Sequence, residues 1–113
     1  MRKAQRDRVF VVIKEPGKPP RKDVIDNRFE AFQEIIGGYY EPIRFSEDVI
    51  IICNEDGKRL DLAENSMGLV GTFLFIGAAD EHGEFTDVSS ADEICEMMRG
   101  YVIPEAVQRH GKV

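Results

Sequence analysis

The apolar positions of this chain fall into short runs with two different spacings. Val9–Ile13 (VFVVI) is an unbroken β-branched and aromatic run and predicts a buried strand. Pro16, Gly17, Pro19 and Pro20 follow at once and forbid regular structure, which marks a loop. A short strand is expected over Arg21–Ile25. Asn27 and Glu30 have the spacing of a capping box, Phe29, Phe32, Ile35 and Ile36 share one helical face, and Gly37-Gly38 supplies a stop. That combination predicts a helix over 28–36. Tyr39–Phe45 reads as a strand that Pro42 assigns to an edge or a bulge.

Val49–Asn54 is apolar at consecutive positions, so both faces of this strand should be covered. Glu55–Lys58 predicts a turn with Gly57 at positive φ, and Leu60 with Leu62 a brief returning strand. Residues 63–68 read as a polar loop. Leu69–Ile76 is a further apolar run, with Gly71 at a bulge or a close backbone approach. After a turn over Asp80–Glu84, Phe85–Val88 is expected to pair back. Ser90 and Glu93 repeat the capping-box spacing ahead of a helix over 91–99, apolar at Ile94, Met97, Met98 and Tyr101, with Gly100 as its stop.

Strands joined by tight turns favour an antiparallel or mixed sheet, so the fold class is α+β. One helix (28–36) is expected to pack centrally on that sheet, in a β-grasp-like arrangement, with the second helix near the C-terminus. The pattern divides the chain into a basic flexible arm (1–8), one domain (9–102) and a C-terminal tail (103–113).

Composition adds scale and charge. The chain has 113 residues, 42% of them apolar and none of them Trp, which suits one domain with a modest core built on Phe, Tyr, Ile and Val. The net charge of −6 is unevenly spread. Residues 1–22 hold eight basic and two acidic side chains, and the remainder seven basic and nineteen acidic. An acidic body disfavours nucleic-acid binding, which rewards Lys and Arg, except through the basic arm. Cys53 and Cys95 have no metal or redox spacing and read as buried reduced thiols. No apolar run approaches the roughly 20 residues of a membrane span, and the charged start lacks a signal-type core. No membrane association and a cytoplasmic location are the expectations.

The residues assemble no familiar chemistry. His82 lies in an expected turn and His110 in the tail, neither beside a nucleophile in a catalytic motif. Asp80, Glu81, His82 and Glu84 are dense, but an acidic turn is ordinary, and Asn54–Gly57 lacks the alternation of a calcium loop. Gly68-Leu69-Val70-Gly71 runs into a strand, whereas phosphate loops run into helices. No catalytic residue, metal ligand or cofactor is therefore assigned. The binding candidates are Tyr39 and Tyr40, of which one ring should face out, Glu55 at the turn, and Asn65, a ligand contact or a loop cap.

The segments VFVVIKEPG, IDN, EIIGGYYEPI, NEDGK, AEN and VGTFLFIG occur in one order from Val9 to Phe85. That order resembles the domain-of-unknown-function family 3846, small proteins of bacteria, phages and mobile elements. The most specific pieces are Gly37-Gly38-Tyr39, the Asn54–Lys58 turn, Asn65 and Gly71-Thr72. An Arg usually follows the Asn in the family pattern, and Ser66 stands there in this chain. The resemblance implies a coherent fold and a mobile-element setting, and it carries no activity.

The leading functional expectation is a non-catalytic binding module of a phage or mobile element that acts on a host protein. A second is capture of a small, nucleotide-like ligand near Tyr39, Tyr40 and Asn65, in a pocket that homo-oligomerisation could build. A third is an acidic mimic of nucleic acid.

Overall fold

The computed structural model describes residues 7–100. Its elements are β1 (Arg8–Lys14), β2 (Arg21–Asp26), α1 (Phe29–Ile36), β3 (Tyr40–Arg44), β4 (Val49–Asn54), β5 (Phe73–Gly77) and α2 (Ala91–Arg99). The expectations for residues 1–6, Tyr101, His110 and the tail lie outside the described residues. Arg8, expected to end the arm, already belongs to β1.

The five strands form one sheet in the order β2-β1-β5-β4-β3. Every neighbouring pair is antiparallel. Alternation along each strand sends side chains to opposite faces, and each face carries a helix. Val9, Val11, Ile13, Ile50, Ile52, Leu74 and Ile76 face α1 and pack on Phe32 and Ile36. Val12, Val49, Ile51, Cys53, Phe73 and Phe75 face α2 and pack on Ile94, Cys95 and Met98. The expected helix across the sheet is thus one of two, and the domain has three layers. Consecutive burial along β4 and β5 follows directly, since both are interior strands covered on both sides.

Both helices lack the capping boxes that their sequences suggest. Arg28, not Asn27, is the N-cap of α1, and no side chain caps it. Asn27 instead donates its Nδ2–H to the Phe85 carbonyl at 3.0 Å, tying the helix entry to the 85–88 segment. Ser90 heads α2 in the left-handed region (φ 58°), again without a side-chain cap. The stop of α1 is as the glycine pair predicts. Gly37 takes φ 89°, and the amides of Gly37 and Gly38 both donate to the Gln33 carbonyl.

The segment between β4 and β5 departs most from expectation. Leu60 and Leu62 form no strand. Residues 55–61 coil in successive turns, with Leu60 N–H on the Asp56 carbonyl and Leu62 N–H on the Gly57 carbonyl. Gly57 does not have the positive φ that the turn suggested. A Cβ there would lie 2.7 Å from Val70 Cγ2, so close packing selects the glycine. β5 starts at Phe73 rather than Leu69, and before it Glu64 and Val70 form a single bridge. The 85–88 segment pairs back through one bridge, Gly77 with Thr86.

Candidate functional site

The layer on the α2 side of the sheet is incomplete. α2 has nine residues and its nearest strand is β1. One flank is held toward β2, where Lys22 forms an ion pair with Asp92 in the first turn of the helix. The 55–72 segment covers one end of the same face, packing Met67 and Leu69 on the core. Neither element reaches over β3. Register places Glu41 and Ile43 opposite Cys53 and Ile51, so these β3 side chains share the α2 face.

The uncovered strip is apolar at its centre. Ile43 is 36% exposed and Phe45 37%, and Met97, on the flank of α2 away from Lys22, is 41% exposed. Two hollows flank them. One of about 290 Å³ lies between Glu41, Ile43 and Cys53 and the loop residues Leu69 and Val70. The other, of about 220 Å³, lies between Phe45, Val49, Ile94 and Met97. Ile43 and Phe45 are alternate residues of one chain segment, roughly 7 Å apart, so the two hollows lie one after the other along an open groove beside β3. Phe45 is anchored edge-on to Phe75, centroids 5.3 Å apart, which fixes that wall.

The rim is acidic. Five carboxylates (Glu41, Asp48, Glu55, Asp56, Glu93) border the two hollows, against Lys58 and Arg59. Arg59 is already engaged by Asp56 at 3.2 Å. The groove floor contains a thiol, Cys53, whose pKa is pushed up to about 11 by burial and then by the nearby Glu41 carboxylate. A thiol so shifted is protonated at neutral pH and is a poor nucleophile. Among the described residues no three His, Cys, Asp or Glu side chains converge as a metal-binding group.

Both sheet edges carry interruptions that disfavour strand addition. Phe45 N–H donates to the Val49 carbonyl and Glu55 N–H to the Tyr39 carbonyl, so odd-numbered residues of this segment bond to β4. The backbone groups of Tyr40, Pro42 and Arg44 therefore point outward, and Pro42 removes the middle donor. At the opposite edge, Asn27 N–H donates to the Asp7 carbonyl, which turns the Val24 backbone outward. Both of its groups are taken by side chains: Val24 N–H donates to Asp23 Oδ1 at 2.8 Å, and Arg8 Nη2–H donates to the Val24 carbonyl at 3.1 Å.

The four candidates from the sequence separate. Tyr40 packs on the α1 side, its ring 5.4 Å from Phe29 and 5.7 Å from Phe32, and burial raises its pKa. Tyr39 is the outward ring, 65% exposed. Glu55 stands at the groove mouth, on the side of the sheet away from Tyr40, and its N–H donates to the Tyr39 carbonyl.

Asn65 belongs to a different structure. Its Nδ2 donates to the carbonyls of Lys14 (3.0 Å) and Gly71 (2.8 Å), while its Oδ1 accepts from Lys14 Nζ (3.1 Å) and Ser66 Oγ (3.0 Å). All four hydrogen-bonding positions of the amide are used, and Asn65 is a loop cap. Ser66 is buried, so the position that carries Arg in the family pattern faces inward here.

Sequence reasoning missed Ile43, Phe45 and Met97 as surface groups, and Lys14 altogether. The signal for the first two was present in the edge assignment of Pro42, since an edge strand is covered least. Lys14 follows the apolar run Val9–Ile13 directly and is assigned no role from sequence. It is fully buried, forms no ion pair among the described residues, and burial lowers its pKa.

These features define a three-layer α+β domain whose α2-side face is left open along β3, beside an acid-rimmed apolar groove. The chain matches the model of the domain of unknown function DUF3846 over residues 8–99 and belongs to that family. No curated protein and no solved structure matches it.

Proposed function

We propose that this domain is a non-catalytic interaction module whose working surface is the groove between α2 and β3. The observation that carries the reading is the run of partly exposed apolar Ile43, Phe45 and Met97 beside two neighbouring hollows. Apolar side chains held open on a rigid sheet favour a partner that covers them. The shifted Cys53 thiol and the saturated Asn65 amide add no reactive or ligand-seeking group. The family resemblance, with its mobile-element setting, makes a host protein the expected partner.

Replacing Met97 with a photoreactive phenylalanine analogue in cells of the producing organism tests this. The same analogue at exposed Glu34, on α1, is the control. One protein should be captured repeatedly from position 97 and not from position 34, and excess unmodified chain should compete it away. Equal capture from both positions, or none from 97, would count against the reading.

A further inference from the structure

Granting that the groove is a protein interface, we infer that its occupant is a basic amphipathic α-helix, laid beside α2 over β3. Three observations lead there.

The first is position. On this face the side chains of β1, β5 and β4 are buried, and the open strip runs along β3 through Ile43 and Phe45, with Met97 of α2 on its other wall. A helix seated there would pack along the flank of α2. The second is the interrupted edge. Pro42 removes the middle of the three outward donors of β3, which weakens the ladder that an extended peptide would use. A helix satisfies its own backbone and needs only side-chain contacts from the groove.

The third is spacing and charge together. Residues i and i+4 of a helix rise about 6 Å, close to the roughly 7 Å between Ile43 and Phe45. Two large apolar side chains one turn apart would enter the two hollows. Glu41, Glu55 and Glu93 then face the flanks of the incoming helix, where Lys or Arg would meet them. The same acidic rim disfavours a second copy of this chain as occupant, because two such rims would be brought together.

The test is an amide chemical-shift titration of the full chain with three synthetic peptides. KLLKKLLKKLLK is basic and patterned for a helix, ELLEELLEELLE carries the same pattern with acidic flanks, and KLKLKLKLKLKL is basic and patterned for a strand. The first should shift the amides of Ile43, Phe45 and Met97 and bind at least tenfold more tightly than the other two. Met97→Lys, which places a cation in the groove wall, should weaken it at least tenfold.

If KLKLKLKLKLKL wins at these same amides, the interface reading survives and the helix inference falls. Equal binding of the acidic peptide removes the charge argument and overturns the inference too. If no peptide moves these amides, both readings fall. Concentration-dependent shifts there without peptide, or cross-relaxation from Ile43 to residues 101–113 in the free protein, would assign the groove to the chain itself and overturn the inference.

Discussion

Lys14 and Asn65 hold each other from both ends: the lysine ammonium donates to the asparagine Oδ1 at 3.1 Å, and the asparagine Nδ2 donates back to the lysine carbonyl at 3.0 Å. The pair joins the last residue of β1 to a loop 51 positions later in the chain. It also closes one end of the α2-side core, since Lys14 lies opposite Phe73 in the sheet register.

Truncating Asn65 strands several buried groups at once. Asn65→Ala removes a donor from each of the Lys14 and Gly71 carbonyls and an acceptor from the Lys14 ammonium. The expected loss is about 3 kcal/mol, read as a lower urea midpoint. Asn65→Asp should not restore the parent value. It keeps an acceptor for Lys14 but replaces Nδ2 and its two N–H donors by one oxygen that faces two carbonyls.

The buried Lys14 makes stability depend on alkaline pH. Its folded pKa lies below the ordinary lysine value, because burial penalises the charge. In the interval between those two values the unfolded chain keeps the proton that the folded chain has released. Stability therefore rises as pH climbs through the interval, and the full cost of the buried charge is present below it. Lys14→Met should abolish this contribution. Urea midpoints of the two proteins, compared from about pH 7 to about pH 10.5, should draw together as the pH rises.

The interrupted edges predict solution behaviour. The chain should be monomeric where the groove is empty. Opening both edges with Pro42→Thr and Asp23→Val restores a donor to β3 and frees the Val24 amide on β2. Light scattering should then show concentration-dependent association that neither single substitution produces in full.

Two glycines rank in a predictable order. A Cβ at Gly77 would sit 2.3 Å from the Asp87 carbonyl oxygen and 2.3 Å from Thr86 Oγ1, and backbone cannot yield as a side chain can. At Gly57 the nearest atom is Val70 Cγ2, at 2.7 Å. Gly77→Ala should cost about 3 kcal/mol and Gly57→Ala about 1 kcal/mol, measured by thermal or urea unfolding.

Periodicity carried most of the element order, because strands such as VFVVI and VIIICN are buried on both sides and say so in consecutive apolar residues. Local polar signals did worse. The Asn27–Glu30 and Ser90–Glu93 spacings suit capping boxes, yet Asn27 bonds to Phe85, 58 residues away, a preference no local window contains. Gly57 and Lys14 failed for the same reason, since their roles depend on Val70 and Asn65 arriving from the loop. The groove was hidden because exposure of Ile43 and Met97 is a property of what does not cover them.

The central position of β5 has a consequence for how the chain comes together. β1 with β2, and β3 with β4, are hairpins of near neighbours, but each needs β5 to join the other. Val12 meets Phe75 only after about 60 intervening residues, a long closure that slows assembly. During synthesis both hairpins would emerge first with their inner margins unpaired, and Phe73–Gly77 would be the keystone that locks them into one sheet.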